Sequence, residues 1–134
     1  MHRVMIALLA LTMPALAEPK LDPSGTWLTP GGDAHIRISR CGGGYCGTVA
    51  KILTGETRDV NNPDPALRGR SLVGVALSSD MHPTLEGWEG SLYNFRDGKT
   101  YTGKLAMKSQ NALELAGCVL GGLICKRQVW SRVN

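Results

Sequence analysis

Apolar and polar residues alternate along this chain with a period of two, in short runs broken by glycine, proline and asparagine. Within Ala34–Cys41, Ala34, Ile36 and Ile38 take one face while His35, Arg37 and Ser39 take the other, as in a strand buried on one side. The same reading predicts strands over Gly25–Leu28, Cys46–Leu53, Trp88–Phe95, Thr100–Met107, Ala112–Gly117 and Ile124–Arg132. Leu72–Leu77, a short apolar run, reads as a fully buried strand followed by a polar loop over Ser78–Gly87. No segment carries the 3.6-residue period of a long amphipathic helix. Eight short strands separated by turn signals predict an all-β fold, a small eight-stranded antiparallel barrel. Closure requires the last strand, ending Trp130-Ser131-Arg132, to pair with the first, Gly25-Thr26-Trp27.

Turn chemistry sets the expected register. Read as a two-residue turn, Asp97-Gly98 places Asn94 opposite Tyr101, Leu92 opposite Gly103, Gly90 opposite Leu105 and Trp88 opposite Met107. Thr100, Thr102 and Lys104 then face outward, and the same parity puts Leu113, Leu115 and Gly117 inside. Thr54–Arg70 is the long aperiodic stretch and contains Asn61-Asn62-Pro63-Asp64-Pro65. Its prolines remove ladder donors, so it reads as an ordered loop with room for a short helical turn.

The first residues read as an address. Met1-His2-Arg3 is a short basic start, Val4–Met13 is apolar, and Pro14 precedes Ala15-Leu16-Ala17, a small-x-small cleavage site. The apolar run falls well short of the roughly 20 residues that span a bilayer. The expectation is a signal peptide over 1–17, a single β-barrel domain over 18–134, no membrane span, and a periplasmic or secreted protein. Lys and Arg number 15 against 11 Asp and Glu, for a net charge of +4. These charges are scattered rather than blocked, so they predict a solvated surface and no nucleic-acid partner.

Export into an oxidising compartment makes the four cysteines a disulfide set. Three pairings are open. Chain entropy favours crossed bonds, at about 4.5 kcal/mol against about 2 to 2.5 for local loops. Hairpin geometry favours local closure, Cys41 with Cys46 and Cys118 with Cys125, on the outward face. The spacings C-x4-C and C-x6-C are looser than zinc ribbons use, and no C-x-x-C is present. Asp59, Asn61 and Asp64 lack the spacing of a calcium loop and read as an Asx-held turn. Arg68 and Arg70 are available to pair with these acids or to meet an anionic ligand. No metal and no cofactor are expected. G-x-S-x-G and H-E-x-x-H are absent, and neither His35 nor His82 adjoins a nucleophile, so no catalytic residue is nominated and the chain does not read as an enzyme.

Several motifs resemble a family of exported bacterial proteins known as domain of unknown function 2147. They are G-x-W at Gly25–Trp27, the pairs Cys41-Gly42 and Cys46-Gly47, Asp59 with Asn62-Pro63-Asp64, then Arg70 and Gly74. The aspartate-glycine hairpin with Tyr93 and Tyr101, and the ending Gly117-Cys118, Cys125 and Trp130-x-Arg132, complete the pattern. Asn94-Phe95 departs from it, since the family commonly has Asp-Pro there. The resemblance implies a calycin or lipocalin-like barrel and carries no established activity. It also implies that Arg132 lies across Trp27 to cap the barrel floor, a structural closure rather than a ligand contact.

Pairing Cys118 with Cys125 fixes the parity of the last strand, placing Lys126, Gln128, Trp130 and Arg132 on the inward face. With the neighbouring hairpin this nominates a ligand site of Trp88, Leu92, Tyr101, Leu105, Lys126, Gln128 and Trp130, with Met107 beside them. An ammonium in so apolar an interior needs a partner, and no inward carboxylate is evident. The expected function is binding of a small amphipathic or acidic molecule in the barrel interior. The alternative is a cell-envelope module whose barrel is filled and whose partner is an envelope protein, with Lys126 reaching solvent at the rim.

Overall fold

The computed structural model describes residues 4–10 and 21–134. The expected cleavage site after Ala17 lies outside them. Eight strands close into one antiparallel barrel in sequence order, β1 through β8, with β8 returning to β1. They are β1 Gly25–Leu28, β2 Ala34–Cys41, β3 Gly44–Ile52, β4 Ala76–Pro83, β5 Trp88–Asn94, β6 Lys99–Ser109, β7 Ala112–Val119 and β8 Ile124–Arg132. Among the described residues no helix is long and apolar enough to cross a membrane.

One expected strand moves. Leu72–Val75 is not extended sheet: the Val75 amide donates to Leu72 O at 3.0 Å, and Gly74 adopts φ 92°. Leu72 is buried in the core cluster, so its apolarity reflects a loop side chain tucked inward, not a strand. The strand begins at Ala76 and takes in residues expected to be loop. Two register shifts against β3 space its buried residues Leu77 and Met81 four apart, which erases the alternation that marks a strand in sequence.

The β5–β6 register also differs, by two residues. Leu92 faces Tyr101, Gly90 faces Gly103, Trp88 faces Leu105, and Asn94 faces Lys99. The connection is four residues long because Asn94 and Asp97 each hold it locally. Gly98 N donates to Asn94 O at 2.8 Å, Arg96 N to Asn94 Oδ1 at 2.9 Å and Lys99 N to Asp97 Oδ1 at 2.8 Å. A shift of two preserves parity, so the same side chains still point inward.

Both disulfides are local and outward-facing. Cys118 and Cys125 are directly opposed, whereas Cys41 bridges diagonally to Cys46, whose strand partner is Ser39.

One end of the barrel is sealed. Trp27 is fully buried and its indole donates to Pro23 O at 2.8 Å. Arg132 stacks 4.4 Å from the Trp27 ring and donates to the carbonyls of Gln110 (2.6 Å), Ser24 (2.7 Å) and Asp22 (2.9 Å). Trp88 meets Tyr45 edge-on at 5.3 Å. The Tyr45 hydroxyl donates to Asp22, whose carboxyl is pulled down to about 2, first by the Ser24 backbone N–H and also by Tyr45 and Arg40.

Candidate functional site

The opposite end is open. A cavity of about 460 Å³ enters the barrel there, within the range of small-molecule sites. Its apolar wall is Ile36, Leu77, Leu92, Leu115 and Trp130, all on inward strand positions. Its mouth carries Asp33 from the β1–β2 connection, Arg96 and Asp97 from the β5–β6 turn, and Lys126 and Arg127 from β8.

Small residues make the room. Gly117 lies between Gly103 on β6 and Lys126 on β8. A Cβ at Gly117 would meet only the Tyr101 ring, at 3.7 Å, so the space above it is open. A Cβ at Gly103 would come within 2.8 Å of Leu92 Cβ; that glycine instead lets Leu92 lie across β6.

The nominated residues separate by depth. Leu92, Tyr101, Lys126, Gln128 and Trp130 line the cavity together. Leu105 lies deeper, around a void of about 20 Å³ shared with Ile38, Tyr45 and Met81, room for about one water. Trp88 is outside the cavity lining, packed against Tyr45 toward the sealed end. The lower barrel is therefore filled with side chains and the upper barrel is not.

The polar groups at the mouth are unevenly committed. Asp97 accepts from the Tyr101 hydroxyl, and this bond raises the Tyr101 pKa. Asp33 accepts from Thr54 at 3.1 Å, Arg96 donates to Thr54 O at 3.3 Å, and Arg127 pairs with Glu114 at 3.0 Å. Gln128 accepts from the Trp130 indole at 3.1 Å. Among the described residues Lys126 forms no ion pair, and it is exposed at the rim of the cavity, so the expected ammonium enclosed in an apolar interior is not found: its place near the start of β8 lets the side chain reach solvent.

A second polar cluster fixes the long β3–β4 connection beside the mouth. β4 and β5 pair only at His82↔Glu89 and Pro83↔Trp88. Toward the open end, Tyr93 of β5 reaches instead to Asp59 of that connection, donating at 2.6 Å. Asp59 is wholly buried and also accepts from Asn62 (2.9 Å) and from Arg70 (2.9 Å). Burial alone would raise its carboxyl, but the bonds from Tyr93, Asn62 and Arg70 and the Arg70 charge hold it below the ordinary value. Burial and the Asp59 carboxylate push the Tyr93 phenol up to about 12. Asn61 donates to the carbonyls of Phe95 (3.3 Å) and Arg96 (3.0 Å), tying the loop to the β5–β6 turn. Asp64 accepts from Ala66 N at 3.0 Å, and Arg68 donates to Asn62 O at 2.8 Å. The loop's acids and Asx side chains are thus engaged within the protein, with Arg70 as the partner of Asp59. Sequence reasoning placed these residues in one turn but gave no sign that Tyr93, 34 residues away, completes the cluster.

A family model described as "Uncharacterized protein conserved in bacteria (DUF2147)" matches residues 25–132. Among solved structures, the chain is similar to protein HP1028 from the human pathogen Helicobacter pylori, which is described as belonging to the lipocalin family. The two are 26% identical with a TM-score of 0.74, over 86% of this chain and 85% of that one. No curated protein matches the chain.

Proposed function

The chain belongs to that DUF2147 family, and from that premise we propose that it is an exported, lipocalin-like binding protein, not an enzyme, that holds a small amphipathic acid in the upper barrel. The observation that carries the reading is the cavity of about 460 Å³, apolar in its wall, with the unpaired Lys126 ammonium at a rim that also carries Arg96, Arg127, Asp33 and Asp97. A ligand's hydrocarbon part would lie against Leu92, Leu115 and Trp130, and its acid group would meet Lys126. Burying a few methylenes against such a wall contributes about 0.8 kcal/mol each. A carboxylate also gives Lys126 the ion pair it lacks. Two disulfides and membership of a bacterial family support a periplasmic or extracellular setting.

Titration with decanoate and dodecanoate, followed by tryptophan fluorescence, tests this reading because Trp130 is in the cavity wall. Saturable change is expected, with Lys126→Met binding about tenfold more weakly, the worth of one partly solvated ion pair. Equal binding by Lys126→Met, or no binding by either protein, would end the acid-ligand reading.

A further inference from the structure

Among the described connections, β7–β8 gathers exposed aliphatic side chains most closely; those of the β3–β4 connection, Leu53, Val60, Leu67 and Val73, are spread along its length. Val119, Leu120, Leu123 and Ile124 are four aliphatic residues around Gly121-Gly122, and their exposures are 44%, 69%, 85% and 59%. They form one continuous tip at the open end, since Val119 is the strand partner of Ile124. Both continue the inward parity of the cavity wall, one step beyond Gly117 and Lys126. The apolar face therefore runs out of the mouth onto the tip.

The tip is a built element. The Cys118–Cys125 disulfide clamps its base. Leu120 holds a left-handed backbone at φ 53°, a conformation that leucine adopts at a cost. A local fold that holds a leucine in that conformation and leaves it exposed is not explained by packing within the chain. Cations lie at the same end. The Lys104 amine lies against Gly122, and Lys99, Arg96, Lys126 and Arg127 stand at the same end. The acids in the connections at that end are Asp33, Glu56, Asp59, Asp64 and Asp97, of which Asp59 is buried and paired with Arg70; Glu114, farther down β7, is paired with Arg127 and Lys108.

We propose that the Val119–Ile124 tip inserts into the surface of an anionic lipid bilayer, with the barrel mouth facing the lipid. Aliphatic side chains on a rigid, cation-flanked projection are what interfacial binding requires: apolar area to bury, and positive charge to meet acidic headgroups. A protein partner would account for the apolar tip, but the cations at the same end favour an anionic surface. Neither the tip nor its charges depend on whether the cavity takes a ligand.

Flotation or sedimentation with phosphatidylcholine vesicles carrying about one-third phosphatidylglycerol tests it. Wild type is expected to bind these vesicles at least about tenfold better than phosphatidylcholine alone, and to release as salt rises. Leu120→Asn with Leu123→Ser should bind at least about tenfold more weakly while keeping its near-ultraviolet circular dichroism, since asparagine suits the left-handed position. Leu85→Asn removes a fully exposed leucine from the β4–β5 connection at the sealed end, and it should bind as wild type does. The proposal is overturned if wild type ignores the anionic vesicles, if the tip variant binds unchanged, or if Leu85→Asn loses as much as the tip variant. A wild-type dimer that the tip variant dissociates, without vesicle binding, would assign the surface to a second copy of the chain instead.

Discussion

The hydroxyl of Tyr93 donates to the buried carboxylate of Asp59 at 2.6 Å, joining β5 to the β3–β4 connection where β4 and β5 no longer pair. Arg70 completes the charge balance from a side chain that is 39% exposed, while the Asp59 side chain is 0% exposed. The two partners should therefore respond unequally to removal. Arg70→Met leaves a buried carboxylate with neutral donors alone and should cost about 3 to 5 kcal/mol. Asp59→Asn leaves a guanidinium that water can reach and should cost about 1 to 3 kcal/mol. Urea unfolding of both variants measures the difference. Equal costs would mean that the carboxylate is hydrated after all.

The same cluster sets a pH dependence at both ends of the scale. Asp59 titrates lower in the folded protein than its ordinary 3.8, so its contribution is complete above about pH 4 and is lost as pH falls through the folded value. Tyr93 is raised to about 12, so its contribution is complete below about pH 10 and is lost between about 10 and 12. Tyr93→Phe should flatten the alkaline fall in melting temperature, and Asp59→Asn the acid one. An alkaline curve for Tyr93→Phe that overlays wild type would remove Tyr93 from this role.

Strand parity was legible in sequence; position along the barrel axis was not. Alternation placed Lys126, Gln128 and Trp130 on the inward face with Leu115, and the structure has them there. Period two says which face a residue takes but nothing of its depth, so Trp88 and Leu105 read as cavity lining although they pack below it. The β4 boundary was hidden because bulges break the alternation and because Leu72, a loop residue, is as buried as any strand residue. The hairpin register slipped by two because Asn94 and Asp97 bond to backbone amides within the turn and lengthen it. Trp27 and Arg132 were readable from the family-like ending, and β1 and β8 do pair at these two residues.

That pairing carries a stability prediction. Arg132 stacks on Trp27 and donates to the carbonyls of Gln110, Ser24, Asp22 and, at 3.5 Å, Asn134 across the sealed end. Arg132→Ala should cost about 1 to 3 kcal/mol from the stack and the packing of the stem. In a double-mutant cycle, Trp27→Phe should cost less in the Arg132→Ala background than in wild type. Additive costs would mean that the two side chains do not interact. Gly25→Ala should be severe for a separate reason. Gly25 sits at φ 136°, and a Cβ there would collide with Asn134 O and lie 2.7 Å from the Arg132 guanidinium.

Gly117 offers a way to separate the cavity from the fold. It lines the open space, its backbone has no left-handed φ, and a Cβ would meet only Tyr101 at an ordinary van der Waals distance. Valine suits a strand and grows from that position toward the cavity. Gly117→Val should therefore keep or raise the melting temperature, because it replaces a flexible residue within a strand. The added volume takes the place a hydrocarbon chain would occupy between Leu115 and Trp130. Fatty-acid binding should weaken about tenfold or more, in line with overfilling a close-fitting apolar site. The paired measurement is a thermal melt and a tryptophan-fluorescence titration on the same preparation. A variant that melts as wild type does and still binds decanoate with unchanged affinity would place the ligand outside the barrel.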